Sequence, residues 1–291
     1  MASSPEEVSD RTKVTVPQIR ASKGGPKLTM VTAYDYPSAR IADEAGIDMI
    51  LVGDSVANAV HGHATTLGID LDTMVLHTAA VARARPKALV IGDLPWLTYH
   101  LSSEDTIRNA GRLIRDGGAE AVKLEGGRKR LTMVTALVDT EIPVMGHIGL
   151  TPQSVHAMGG YRVQGRMVEE AKALIADAHA LEEAGAFALV LEGVPDLVAD
   201  LITKEVSIPT IGIGAGSGTD GQVLVFHDVL DLSYVRKPKF VRHFADLHTE
   251  SVRGMAAFIA AVQSGDFPAE AETYHLEPEV AETLLKESQS D

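Results

Sequence analysis

AEAVKLEGG, residues 119–127, reads as a buried parallel strand interrupted by Lys123 and Glu125. Strand side chains alternate between faces, so Val122 and Leu124 share one face while Lys123 and Glu125 share the other. Two opposite charges on one inner face demand a chemical reason. Working outward, short apolar runs recur at LTMVTAYD (28–35), DMILVGDS (48–55), ALVIGDLP (88–95), PVMGHIGL (143–150), ALVLEGV (188–194), PTIGIGAG (209–216) and VLVFHDVL (223–230), which with 121–127 makes eight strand candidates.

Helical patterns fill the intervals. Ser102 to Gly117 carries Ile107, Ala110, Gly111 and Ile114 at helical spacing, with serines in front and glycines behind as start and stop signals. Residues 169–185 repeat the pattern and end at Gly185, and similar helices fit 37–45, 71–85, 130–140 and 195–205. Strict alternation of strand and helix implies right-handed crossovers and a parallel sheet. Eight strands predict an α/β fold closed as a (β/α)8 TIM barrel, with an open doubly wound sheet as the alternative. SGTDGQ leaves room for only one helical turn between the last two strands, so the barrel is expected to be irregular there. VPQIRASKGG should form a short helix closing the bottom, and 240–264 the last long helix. The expected organisation is a flexible N-terminus over 1–12, one barrel domain over 13–266 and an acidic, solvated tail over 267–291.

The polar residues cluster at strand ends: Asp35; Asp54 and Ser55; Asp93; Lys123 and Glu125; His147; Glu192; His227 and Asp228. In this type of barrel those ends converge on one mouth, where catalysis takes place. Any one of them could merely cap the sheet or sit in an ion pair. The habit shared by seven strands points to a site.

Lys+Arg 26 against Asp+Glu 40 gives a net charge of −14, a field that repels nucleic acid and anionic membranes. An anionic substrate therefore needs a local lysine or a metal. The chain has no cysteine, which excludes disulfides, thiolate nucleophiles and cysteine metal sites. MASSPEEVSDRTK is polar where a signal peptide is apolar, and no apolar run is long enough to span a bilayer. A cytoplasmic protein is expected, with no membrane or nucleic-acid partner.

The stretches TAYDY (32–36), LVGDS (51–55), GDLP (92–95), VKLEGG (122–127), GHIGLTPQS (146–154), GGYRVQGR (159–166), LVLEGVP (189–195) and IGIGAGSGTDGQ (211–222) closely resemble the ketopantoate hydroxymethyltransferase family. The match runs in order over roughly residues 12 to 265, and the ordered set is far more specific than any single motif. Gly193 stands where some members carry cysteine, and the segment after 270 is an extension.

The resemblance implies that 3-methyl-2-oxobutanoate takes a one-carbon unit from 5,10-methylenetetrahydrofolate to give 2-dehydropantoate in pantothenate biosynthesis. It further implies Mg2+ as cofactor, held directly by Asp54 and Asp93 and by Glu125 through water, an oxygen set that suits this ion. Ser55 is expected at the substrate carboxylate and Lys123 at the enolate oxygen, with Asp54 and Asp93 meeting substrate through the metal. Glu192 is implied as the base, and His147 as an accessory that contacts substrate or shapes the pocket. Relatives are homo-oligomers, typically decamers.

Another Mg2+-dependent 2-oxo-acid lyase or mutase of the same barrel type could reuse these carboxylates, although such enzymes commonly add a cysteine. A degenerate, non-catalytic barrel is the competitor outside enzymes. His61 and His63 in HGH have zinc-compatible spacing but fall in a long loop where solvated histidines are common. The glycines of GIGAGSG suit a phosphate cradle or simply tight turns. Tyr161 and Arg162 suit either folate contact or a structural loop.

Overall fold

The computed structural model describes residues 11–234 and 237–289. Residues 1–10, most of the expected flexible N-terminus, lie outside the described residues. The eight strands are β1 (Leu28–Thr32), β2 (Met49–Val52), β3 (Leu89–Asp93), β4 (Ala121–Glu125), β5 (Val144–Gly149), β6 (Ala188–Glu192), β7 (Thr210–Ile213) and β8 (Gly221–Val225). All pair in parallel in chain order, and β8 pairs back onto β1. The sheet therefore closes into the (β/α)8 barrel, and the open alternative falls away.

Two apolar layers follow from strand alternation. Val90, Val122, Leu124 and Val144 face outward into the layer shared with the helices. Leu89, Ile91, Ala121, Met145 and Val190 face inward and fill the barrel. Ile19, on the short Val16–Ala21 helix, joins that inner layer and seals the bottom, as VPQIRASKGG led one to expect. Full burial of one such side chain stabilises by about 1.5–3 kcal/mol.

The helices follow their local signals. Ser102 Oγ accepts from the Asp105 amide at 3.1 Å and starts the Ser103–Arg115 helix, while Gly118 ends the turn behind it at φ 73°. Tyr36–Glu44, Leu71–Arg83, Leu131–Asp139, Val168–Glu183 and Asp196–Glu205 occupy the other expected intervals.

Two readings need correction. β8 ends at Val225, because Phe226 turns back into the outer apolar layer and starts a Phe226–Val229 helical turn. His227 and Asp228 are therefore not strand-end residues. The link between β7 and β8, where the barrel was expected to be irregular, carries no helix. The last long helix begins at Leu247, where Asp246 Oδ1 accepts from the Thr249 amide at 3.1 Å, rather than at 240.

That Leu247–Ser264 helix has no buried residue, and its Met255, Phe258 and Ile259 are at least half exposed. The segment read as a solvated tail is exposed in its described part apart from half-buried Ala281, but holds a Pro278–Ser288 helix. Among the described residues no helix is long and apolar enough to cross a membrane.

Candidate active site

Strand register assembles the mouth. Asp93 lies opposite Lys123, Glu125 opposite His147, and Gly149 opposite Glu192, so β3 to β6 place their terminal inward residues at neighbouring levels. Along β3 the inner face runs Leu89, Ile91, Asp93; along β4, Ala121, Lys123, Glu125. Each strand changes from apolar to ionisable at its C-terminal end. Asp54 lies two residues beyond the end of β2, and its amide donates to Asp93 Oδ2 at 3.1 Å.

Lys123 is the hub. Its Nζ lies 3.0 and 2.9 Å from the two oxygens of Asp93 and 3.5 Å from Glu125 Oε1. Burial opposes the ammonium charge, but Asp93, Glu125 and Asp54 outweigh it and raise the lysine pKa. Glu125 is pushed up by burial, yet Lys123 and His147 prevail and hold its carboxyl below the usual range. Asp54 has no comparable partner. Burial, followed by the charges of Asp93 and Glu125, lifts its carboxyl well above the ordinary value. Asp93 is lifted too, by burial and Glu125, against the pull of Lys123.

His147 bridges two carboxylates. Its Nδ1 stands 3.5 Å from Glu125 Oε1 and its Nε2 3.3 Å from Glu192 Oε2. Both nitrogens fall outside hydrogen-bond geometry, so the coupling is ionic rather than directional. Burial and Lys123 work against a charge there, but the two carboxylates win and raise the imidazole pKa to about 9. Glu192 differs from the others in exposure: its side chain is 16% accessible against 2% for Glu125.

The arrangement also contains residues that strand patterning did not single out. Gln153 donates from Nε2 to Asp54 Oδ2 at 2.9 Å and to the Leu94 carbonyl at 3.0 Å, while its amide donates to Glu125 Oε2 at 3.0 Å. Tyr99 donates to Gln153 Oε1 at 2.5 Å. Tyr34 OH stands 2.8 Å from Ser55 Oγ and 2.9 Å from Thr32 Oγ1. All three lie in quoted motifs or beside them, but after strand ends, where alternation no longer assigns a direction. Gly149 holds the β5 end at φ 96°, where a Cβ would run into the Glu192 carbonyl.

Other candidates separate from this group. Asp35 caps the Tyr36–Glu44 helix by accepting from the Ser38 amide at 2.8 Å. His227 stacks on Tyr34 with ring centroids 5.6 Å apart. His61 and His63 stack at 6.1 Å instead of converging. In GIGAGSG, Gly214 and Gly216 turn at positive φ against Phe240 and Asp196, so tight turning accounts for them. Tyr161 is half exposed, and partial burial together with the charges of Asp54, Glu192 and Glu125 raises its hydroxyl pKa.

The donor set can be weighed for a divalent cation. Among the described residues no three Asp, Glu or His side chains already form a metal cluster. A Mg2+ site, however, commonly takes one or two carboxylates and leaves the rest to water and substrate. Asp54 and Asp93 meet that requirement, since both carboxyl groups are buried and the Asp54 amide to Asp93 Oδ2 hydrogen bond sets the two residues side by side. Both oxygens of Glu125 are already engaged, one toward Lys123 and His147 and one by Gln153.

Comparison with known proteins adds a further observation. A family profile described as ketopantoate hydroxymethyltransferase matches residues 13–270. The 3-methyl-2-oxobutanoate hydroxymethyltransferase of Geobacter metallireducens is 53% identical over 90% of this chain and 98% of that protein. The protein of the same name from Geobacter sulfurreducens is 56% identical over 86% of this chain and 94% of its own. Among solved structures, 2,3-dimethylmalate lyase superposes with TM-score 0.55 at 18% identity over 95% of each chain. Phosphonopyruvate hydrolase in complex with oxalate and Mg2+ gives 0.56 at 13% identity, over 95% of this chain and 98% of that one. At such identities these two speak for the barrel alone.

Proposed function

Because the chain belongs to the ketopantoate hydroxymethyltransferase family, we propose that it transfers a one-carbon unit from 5,10-methylenetetrahydrofolate to 3-methyl-2-oxobutanoate, giving 2-dehydropantoate for pantothenate biosynthesis. The observation that carries the reading is the split within the mouth: a buried Asp54, Asp93, Lys123 and Glu125 group on one side and the partly exposed Glu192 on the other. The first side suits a bound anion and the second a working base.

Asp54 and Asp93 would hold Mg2+, with Glu125 reached through water, and the bound ion would polarise the keto carbonyl and stabilise negative charge at its oxygen. Ser55, oriented by Tyr34, donates to the substrate carboxylate. Lys123 keeps its proton because Asp93 and Glu125 surround it, so it faces the developing enolate oxygen as a fixed cation. Glu192 removes the C3 proton, a step worth roughly 100-fold to 10,000-fold. His147 holds Glu192 in place from below. The resulting carbon nucleophile takes the methylene carbon of the folate. Water supplies the product hydroxyl, and tetrahydrofolate departs. The same reading makes the protein cytoplasmic and a homo-oligomer, and the uncovered apolar residues of the Leu247–Ser264 helix support the assembly.

The first step is open to measurement without folate. Proton NMR of 3-methyl-2-oxobutanoate in D2O should show enzyme-catalysed loss of the C3 proton signal in the presence of Mg2+. Glu192→Gln should abolish that exchange while keto-acid binding persists. Undiminished exchange in Glu192→Gln would move the base elsewhere, and exchange independent of Mg2+ would remove the metal from the reading.

A further inference from the structure

Two histidines meet away from the mouth's carboxylates, where the loop after β2 crosses the Leu71–Arg83 helix. His77 Nδ1 lies 2.7 Å from the Tyr34 carbonyl oxygen. A carbonyl only accepts, so neutral His77 carries its proton on Nδ1 and presents a lone pair at Nε2. His61 Nε2 stands 2.9 Å from that atom. As a neutral pair they share one hydrogen bond, with His61 donating.

The same arrangement is half of a metal site. A ligating imidazole almost always places its other N–H on a carbonyl or carboxylate, which fixes its tautomer, and His77 is already held in this way. Nitrogens bound to tetrahedral zinc at 2.0–2.1 Å stand roughly 3.3 Å apart. With ring centroids 5.2 Å apart the two Nε2 atoms now face each other head-on, so the pair must open by about 0.4 Å and both rings must tilt toward a common point. His61 is exposed, on the loop after β2. We propose that His61 and His77 form a second divalent-metal site, selective for an imidazole-seeking cation such as Zn2+ and separate from the oxygen-rich set of Asp54 and Asp93.

Ligand type gives the selectivity. Imidazole pairs favour Zn2+, Ni2+ or Cu2+, while Mg2+ prefers oxygen. Burial and the neighbouring His77 and His63 lower the His61 pKa, which keeps its ring in the neutral, ligating form. His63 stacks nearly parallel to His61, with 17° between the rings, and so flanks the pair without completing it. No third Asp, Glu or His completes a cluster among the described residues, which leaves the remaining positions to water. Bound there, the cation would tie the loop to the helix over Tyr34, whose hydroxyl orients Ser55. The inference does not depend on the proposed reaction.

The test is calorimetric titration of Zn2+ into the full-length protein in excess Mg2+, with thermal unfolding as a second readout. Wild type should bind one Zn2+ per chain that His61→Ala and His77→Ala each bind at least tenfold more weakly, and this Zn2+ should raise the unfolding temperature of wild type only. His61→Ala is decisive because its side chain is exposed and its loss leaves the packing intact. Zinc taken up by His61→Ala with wild-type affinity, or no zinc uptake by wild type, would overturn the proposal.

Discussion

Lys123 lies between Asp93 and Glu125 with 4% of its surface exposed, so its loss leaves buried anions without a partner. Removing one member of a buried pair costs about 3–5 kcal/mol. We predict that Lys123→Met loses stability of that order at pH 7 in EDTA, and that the deficit shrinks at pH 5. The sign follows from Asp93. Burial and Glu125 already raise its pKa in the folded state, and without Lys123 it rises further. A carboxyl that binds its proton more tightly when folded favours the native state at low pH and disfavours it as pH rises through that pKa. Denaturant unfolding at the two pH values checks this, and an equal deficit at both would count against it. Lys123, Glu125, Asp93 and His147 were legible in the sequence because strand alternation tells which face each occupies. Gln153 and Tyr99 were not, since they follow strand ends, where nothing in the period says that one glutamine will reach Asp54 with its side chain and Glu125 with its backbone amide.

Elements differ in how closely they serve the chemistry. Ser102 only starts a helix, so Ser102→Ala should cost about 1 kcal/mol with unchanged activity per folded molecule. Gly149 joins the ends of β5 and β6, where the Leu150 amide donates to the Glu192 carbonyl at 2.7 Å. Gly149→Ala should cost roughly 1–3 kcal/mol in backbone strain and also lower turnover, because relieving the clash displaces Glu192. Thermal unfolding paired with kcat separates the two variants, and a Gly149→Ala enzyme of normal kcat would show that the β5 end does not position Glu192. Helix starts were readable because capping is local and chemical. The end of β8 was not, since VLVFHDVL is a continuous apolar run that suits strand and helix alike until Phe226 finds its place in the outer layer.

For the whole molecule, closure into a barrel could be inferred from eight alternating units, whereas the placement of the last helix could not. Met255, Phe258, Ile259 and Val262 form a stripe at helical spacing that is about half exposed. Sequence pattern shows that such a stripe wants a cover but not which surface supplies it. We predict that Phe258→Asp with Ile259→Asp yields a smaller assembly by light scattering than wild type, while the far-ultraviolet spectrum stays that of the folded barrel. An assembly of unchanged mass would assign the stripe elsewhere. The sealed floor beneath the mouth has its own bearing on traffic. With Ile19 and the inner apolar layer closing the far end, the barrel is a cul-de-sac, and everything must pass through one doorway. If, as in the proposed reaction, a small acid lodges at Lys123 and a bulkier partner stands at Glu192, the guest that arrives last is the one that must leave first.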